Sequence, residues 1–192
     1  MNIISIKFNE GVEIINSKAF LNCDVSLVNI PTTIKTIYPN TFNNIILEFN
    51  GNVKDWNNLS FTSDFYNPMT YAEEVYFTND FGLYELNELD LEDIEEIKNF
   101  QFSGLRVHKL IVNKEQTNFN DMSFYNSVVE EVYYTSDVSD WVLIDFGSES
   151  ANPLNTYSKF YDYNNGFVEL DKLVQSLTLT LNSKIILLKV FG

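Results

Sequence analysis

Three kinds of side chain in this sequence could do chemistry. His108 is the single histidine, Cys23 is the single cysteine, and paired acids stand at Glu73–Glu74, Glu92–Asp93, Glu95–Glu96 and Glu130–Glu131. A Ser-His-Asp or Cys-His mechanism would rest wholly on His108. That residue sits between Val107 and Lys109 beside a predicted strand, so it reads as a surface or edge histidine. Cys23 reads as a small core residue, because a nucleophilic thiolate needs a nearby base that the sequence does not supply. One cysteine allows neither an internal disulfide nor a cysteine-based metal cluster. Glycoside hydrolysis needs two facing carboxylates with split pKa values, whereas adjacent acids in a strand are expected to point to opposite faces. No D-x-D-x-D-G calcium loop, P-loop or G-x-G-x-x-G motif occurs. The expectation is a protein with no catalytic residue, no metal and no cofactor.

The elements around these residues have to position them. The chain has 192 residues, 45% of them apolar and 15% aromatic, which fits one domain or a short repeat array rather than disorder. Its net charge is −15, unevenly spread. No Lys, Arg or His lies between Lys54 and Lys98, a stretch with twelve acids, and a second base-free run lies between Lys114 and Lys159. Such a surface repels phosphate backbones, so direct nucleic-acid binding is not expected. Every long apolar run is broken by acids, so no membrane insertion is expected either. MNIISIKFNEGV lacks the basic and apolar regions of an export signal. That places the protein in the cytoplasm or a virion if the chain is full length, and on a cell surface if it is a fragment.

The most distinctive text occurs twice, as NVKDWNNLSFTSDFYNP (52–68) and DVSDWVLIDFGSESANP (137–153). Trp56 and Trp141 are 85 residues apart, as are Phe61 and Phe146, and Pro68 and Pro153. A cassette copied this way signals an array. Within it runs a shorter period of 22: Phe8, Val12, Ile15 and Phe20, at 0, +4, +7 and +12, recur as Ile30, Ile34, Ile37 and Phe42. Leu91, Ile94, Ile97 and Phe102 follow the same scheme with one residue fewer between the first two positions, and Val112, Phe119 and Phe124 follow it at 0, +7 and +12, with Gln116 a polar departure at +4. Each repeat is expected to be one short strand, a turn and an irregular or 3-10 return, which buries its apolar side only by stacking on a neighbour. The stretch LEDIEEI has helical spacing as well, but the repeat scheme explains the whole chain. The units are expected at about 1–82 and 83–166, with a partial third at 167–192.

These residues resemble the BspA-like leucine-rich repeat family, whose pattern is carried by FNEGVEIINSKAFLNC (8–23) and IPTTIKTIYPNTF (30–42). Ala19–Phe20 match the A-F of that pattern, Cys23 its cysteine and Ile30–Pro31 its I-P; the later repeats keep only the apolar positions. The W-x-x-[LI]-x-F…N-P cassettes at Trp56 and Trp141 accompany such repeats. The resemblance implies a single leucine-rich repeat solenoid over 1–192: short strands in one mainly parallel sheet, irregular or 3-10 returns and two inserted Trp-containing loops. It further implies adhesion or protein contact, on a bacterial surface or in a phage, rather than catalysis. The cassettes read as loops pinned by their own aromatics, not as ligand sites.

On such a sheet the residues between inward positions line up as a stripe: Lys7, Asn29, Glu48, Tyr76, Asp90, Ile111, Tyr133, Tyr161 and Thr178. Tyrosine combines contact area with a hydrogen-bonding tip, which suits a protein interface. The expected protein-binding residues are therefore Glu48, Tyr76, Asp90, Tyr133 and Tyr161. The rival reading is an acidic decoy, an anti-defence inhibitor that occupies a partner's basic, nucleic-acid-binding surface through the acidic patch Glu92, Asp93, Glu95 and Glu96.

Overall fold

The computed structural model describes residues 5–20, 22–39, 41–92, 94–113, 118–136, 138–141, 143–155 and 157–162. The expected third unit at 167–192, with Thr178, lies outside the described residues, as do Asp93 and Gln116. The first half carries β1 (Ser5–Lys7), β2 (Ile14–Ile15), β3 (Leu27–Ile30), β4 (Thr36–Ile37), β5 (Ile45–Phe49), α1 (Val53–Asn58), 3-10 turns at Asp64–Tyr66 and Pro68–Tyr71, β6 (Ala72–Asn79) and β7 (Gly82–Glu85). The second carries β8 (Glu88–Asp90), β9 (Glu96–Ile97), β10 (Arg106–Val112), β11 (Asn118–Phe119), β12 (Val128–Tyr134), α2 (Val138–Trp141), β13 (Asp145–Phe146), a 3-10 turn at Glu149–Ala151 and β14 (Lys159–Asp162).

The period of 22 becomes parallel pairing. Val28 lies beside Ile6 and Val132 beside Leu110, each strand one repeat from the last. All of the +4, +7 and +12 apolar positions from Ile30 to Phe124 that are described are buried. The +12 aromatics adjoin one another: Phe20 stacks on Phe42 at 5.5 Å, and Phe102 packs at a tilt on Phe124 at 5.4 Å. Two residues past each of them the chain turns with positive φ, at Asn22, Asn44, Gly104 and Asn126. Asparagine and glycine are the residues that tolerate this left-handed turn.

Four expectations need correction. The strands do not form one sheet: the face divides into a five-stranded sheet, β1-β3-β5-β6-β7, and a four-stranded one, β14-β12-β10-β8. The division lies at β7, which turns back on β6 as an antiparallel hairpin and so ends the first parallel ladder. Nor are the returns wholly irregular, since β9, β11 and β13 form a narrow second parallel sheet, and β2 pairs with β4. Thirdly, Trp56 lies in a helix, not a loop. Asn52 accepts from the N–H of Asp55, and Asp55 accepts from the N–H of Asn52, a reciprocal cap that starts α1. Cys23 is half-buried rather than a core residue.

The first Trp cassette joins the two halves. Trp56 is wholly buried against Phe49, Phe61 and Phe77. Its indole Nε1–H donates to the Gln101 carbonyl at 2.9 Å, and the Gln101 side-chain amide donates back to the Trp56 carbonyl. Asn67 is also wholly buried and donates to the carbonyls of Phe100 (2.8 Å) and Gln101 (3.1 Å). The cassette therefore caps backbone groups of the next half, which would otherwise be buried without partners.

Candidate functional site

The strand registers sort the outward stripe into two lines. Lys7, Asn29, Glu48 and Tyr76 lie side by side across β1, β3, β5 and β6. Asp90, Ile111, Tyr133 and Tyr161 do so across β8, β10, β12 and β14. Between the lines stands β7, with Glu85 opposite Tyr76. Glu48, Tyr76 and Asp90 are thus not one continuous row with Tyr133 and Tyr161; the hairpin parts them.

The second line is the more organised. Tyr133 stacks on Tyr161 with ring centroids 4.6 Å apart and planes at 22°. Both phenols donate to one carboxylate: Tyr133 to Glu131 Oε2 at 2.7 Å, Tyr161 to Glu131 Oε1 at 3.2 Å. Lys159 Nζ lies 3.4 Å from the same Oε1. On β10, Lys109 Nζ stands 4.9 Å from the centre of the Tyr133 ring and 3.1 Å from Glu88 Oε1. A salt bridge, a cation–π contact and a ring stack thus follow one another across four strands. The tyrosine tips expected to be offered to a partner are engaged within the protein, and so is that of Tyr76, which donates to Glu74 at 2.9 Å. What the platform presents is ring surface and the surrounding charges.

Glu131 and Lys109 organise this platform, and neither stands in the expected stripe. The reason is a slip in strand alternation. In β10 the inward residues Val107 and Leu110 are three apart, and in β12 so are Val129 and Val132. Two consecutive residues on each strand therefore face outward. Glu130 and Glu131 reach the same imidazole, at 2.8 Å from His108 Nδ1 and 3.9 Å from His108 Nε2. Adjacent acids were expected to face opposite ways, and here they do not. Glu73 and Glu74 are both exposed for a similar reason, since the β5–β6 register passes from Ala72 to Glu74. His108 itself is on the open strand surface, its side chain 61% exposed. Among the described residues no group of three or more His, Cys, Asp or Glu side chains is arranged to hold a metal ion.

The shared carboxylate shifts the groups it touches. The Tyr133 phenol is pushed up to about 12, first by its hydrogen bond to Glu131, then by burial and the negative charge of Glu131. Glu131 is held below the ordinary carboxylate value, first by the Tyr133 hydroxyl. Tyr133 is therefore expected to ionise near pH 12, read as the phenolate absorbance of the wild-type chain minus that of Tyr133→Phe. Glu131→Gln should bring it back toward 10, because an amide carries no charge. A raised folded value means that the contact stabilises fully below pH 10 and ceases to do so as pH rises through about 12. For Glu131 the sign reverses: its stabilisation is complete above the ordinary value of 4.5 and is lost as pH falls through its lowered one. A difference absorbance rising at pH 10 in the wild-type chain would show that the contact does not form.

The acidic patch belongs elsewhere. Glu92 and Glu95 are exposed on the segment that leaves β8, and Glu96 lies in β9 on the return sheet. Glu96 accepts from the Asn120 side chain at 2.7 Å. Only Glu96 of these acids lies in a strand, and its sheet is not that of the tyrosine platform. Both tryptophans are buried, Trp141 against Tyr134, Phe146 and Phe160. They hold the fold and leave no indole face open to a ligand. Among the described residues no helix is long and apolar enough to cross a membrane.

A family model described as the BspA type leucine rich repeat region, six copies, matches residues 1–82 and 70–143. No curated protein and no solved structure matches the chain. The matched span includes both the repeats of period 22 and the first Trp cassette, and leucine-rich repeats of this kind generally serve protein interaction. The chain belongs to the BspA-type leucine-rich repeat family.

Proposed function

We propose that this chain is a non-enzymatic, adhesion-type solenoid module that binds a protein partner through its sheet face. One observation carries the reading: the Tyr133–Tyr161 stack is fixed by Glu131 from below and flanked by Lys109. A stacked, hydrogen-bonded aromatic pair loses little side-chain freedom on binding, and rigid aromatics are the residues from which interface hot spots are built. Glu48, Tyr76 and Asp90 would extend the contact along the first sheet and across the hairpin. The repeat units at about 1–82 and 83–166 would form one array, because the Trp56 and Asn67 contacts to Gln101 bind one half to the next.

The test uses a partner recovered from a host extract, identified and purified. Tyr133→Ala with Tyr161→Ala is expected to weaken its binding by about a hundredfold, the loss of two hot-spot side chains. Glu92→Gln, Glu95→Gln and Glu96→Gln together should leave it within a few-fold. The opposite pattern, with steep weakening in salt, would favour the acidic decoy and sink the aromatic-face reading.

A further inference from the structure

The hairpin of β6 and β7 ends in a side chain that the fold does not cover. Phe81 is 99% exposed. Its mount is nonetheless ordered: the Phe81 N–H donates to Asn79 Oδ1 at 2.9 Å, and Gly82 adopts φ +115°. Thr78 pairs with Leu83 and Asn79 with Gly82, so the ladder continues to the tip. Phe77 points inward and is wholly buried. Alternation then turns Tyr76, Leu83 and Glu85 outward, and Leu83 is 49% exposed. An aromatic ring at the turn and a leucine two residues on are thus both exposed on a hydrogen-bonded hairpin, where a partner could bury them without ordering a loop.

Acids flank this apolar pair along the hairpin, Asp80 beside Phe81 and Glu85 two residues beyond Leu83, with Glu73 and Glu74 farther back on β6. Glu73, Glu74, Asp80 and Glu85 are all exposed on the two hairpin strands and their turn. No basic residue occurs between Lys54 and Lys98, so β6, β7 and β8 carry none. The negative field registers on Tyr76, whose phenol is held above its ordinary value first by the hydrogen bond to Glu74, then by burial and the charges of Glu74, Glu85 and Glu48. We propose that the β6–β7 hairpin is an anchoring finger for a cationic amphipathic segment of a partner protein. Phe81 and Leu83 would enter its apolar side, and Glu73, Glu74, Asp80 and Glu85 would meet its lysines or arginines. A second copy of the chain is the poorer occupant, because each copy carries a charge of −15 and brings the same acidic collar. This inference rests on the chain being a protein-binding module, but it uses the first sheet rather than the Tyr133–Tyr161 platform.

The experiment measures anisotropy of a labelled Leu/Lys amphipathic helical peptide titrated with the full chain, beside a Leu/Glu peptide of the same apolar pattern. The Leu/Lys peptide is expected to bind, the Leu/Glu peptide to fail, and added salt to weaken the complex. Phe81→Ser should weaken binding about tenfold or more, with the circular dichroism and melting of the wild type retained, since the side chain packs on nothing. Tyr133→Ala should leave this binding unchanged. Equal binding by Phe81→Ser, or equal binding of the two peptides, overturns the finger. So does a dimer in sedimentation equilibrium that Phe81→Ser dissolves, which would make a second copy the occupant. Binding lost in Tyr133→Ala but kept in Phe81→Ser also overturns it, while leaving the aromatic platform standing.

Discussion

Trp56→Ala is expected to cost about 4 kcal/mol of unfolding free energy, the upper range for removing a large aromatic from a core. Two losses combine. The ring is wholly buried among Phe49, Phe61 and Phe77, at centroid distances of 5.1 to 5.6 Å, so a large cavity opens where the cassette meets the sheet. The Gln101 carbonyl, 45 residues away, also loses the indole donor. Trp56→Phe separates the two. It keeps part of the packing and gives up the hydrogen bond, for which about 0.5–1.5 kcal/mol is expected, since the Gln101 carbonyl still accepts from Asn67. Because Gln101 belongs to the second half, the alanine variant should also loosen the coupling between halves. Urea unfolding followed by hydrogen exchange reads both effects. Protection of Phe102 and Gly104 amides, which donate to Ser123 and Tyr125, should fall with that of the first half. A loss under about 1 kcal/mol would mean that the cassette is peripheral to stability, against the buried geometry.

Gly104→Ala should be nearly as damaging, from the other side of the same joint. Gly104 has φ +79°, and a Cβ there would stand 2.5 Å from Thr70 Cα and 2.9 Å from Thr70 N, both backbone atoms of the 3-10 turn Pro68–Tyr71 that closes the first cassette. Positive φ alone does not demand glycine at this point of the repeat. Asn22, Asn44 and Asn126 hold the equivalent turn with φ of 62°, 51° and 55°. What singles out Gly104 is the close approach of Thr70. The two causes can be told apart, because Gly104→Asn suits the backbone angle but not the space. Both variants are expected to lose about 3 kcal/mol, which for a chain of this size lowers Tm by about 6–12 °C. Thermal melts of the two decide it: an asparagine variant as stable as the wild type would show that the backbone angle, not the contact, selects glycine.

Much of this joint could be foreseen, and its partner could not. The 85-residue repeat marked Trp56 and Pro68 as structural, since a cassette copied with its aromatics intact serves packing in both places. Nothing in the text of residues 52–68 names Gln101 as the acceptor. The left-handed turns were legible too, as Asn or Gly every 22 residues after the aromatic at +12, a signal that apolar periodicity passes over. In the candidate site, the lateral neighbours Tyr133 and Tyr161 followed from strict alternation and the repeat offset. Glu131 and Lys109 did not, because the alternation slips by one between Val107 and Leu110 and again between Val129 and Val132. Such a slip sends a second charged residue outward on each strand, and the inward pattern before and after it still looks regular.

The sequence by itself determined the repeat, its core positions and its family, because each of these depends on spacing within one strand and its return. A strand of apolar residues 22 apart buries them by stacking whatever the remote contacts are. Only the tertiary structure decided how the strands divide into sheets and which polar groups meet. The turn at Asp80–Phe81 folds β7 back on β6 instead of sending the chain on to a parallel neighbour, so one expected sheet became two. The shared carboxylate of Glu131 arises from strands that pair across 22 and 28 residues of chain. Register and local slips fix those meetings, and a change of one residue in register turns a side chain to the opposite face, which one-dimensional spacing does not specify.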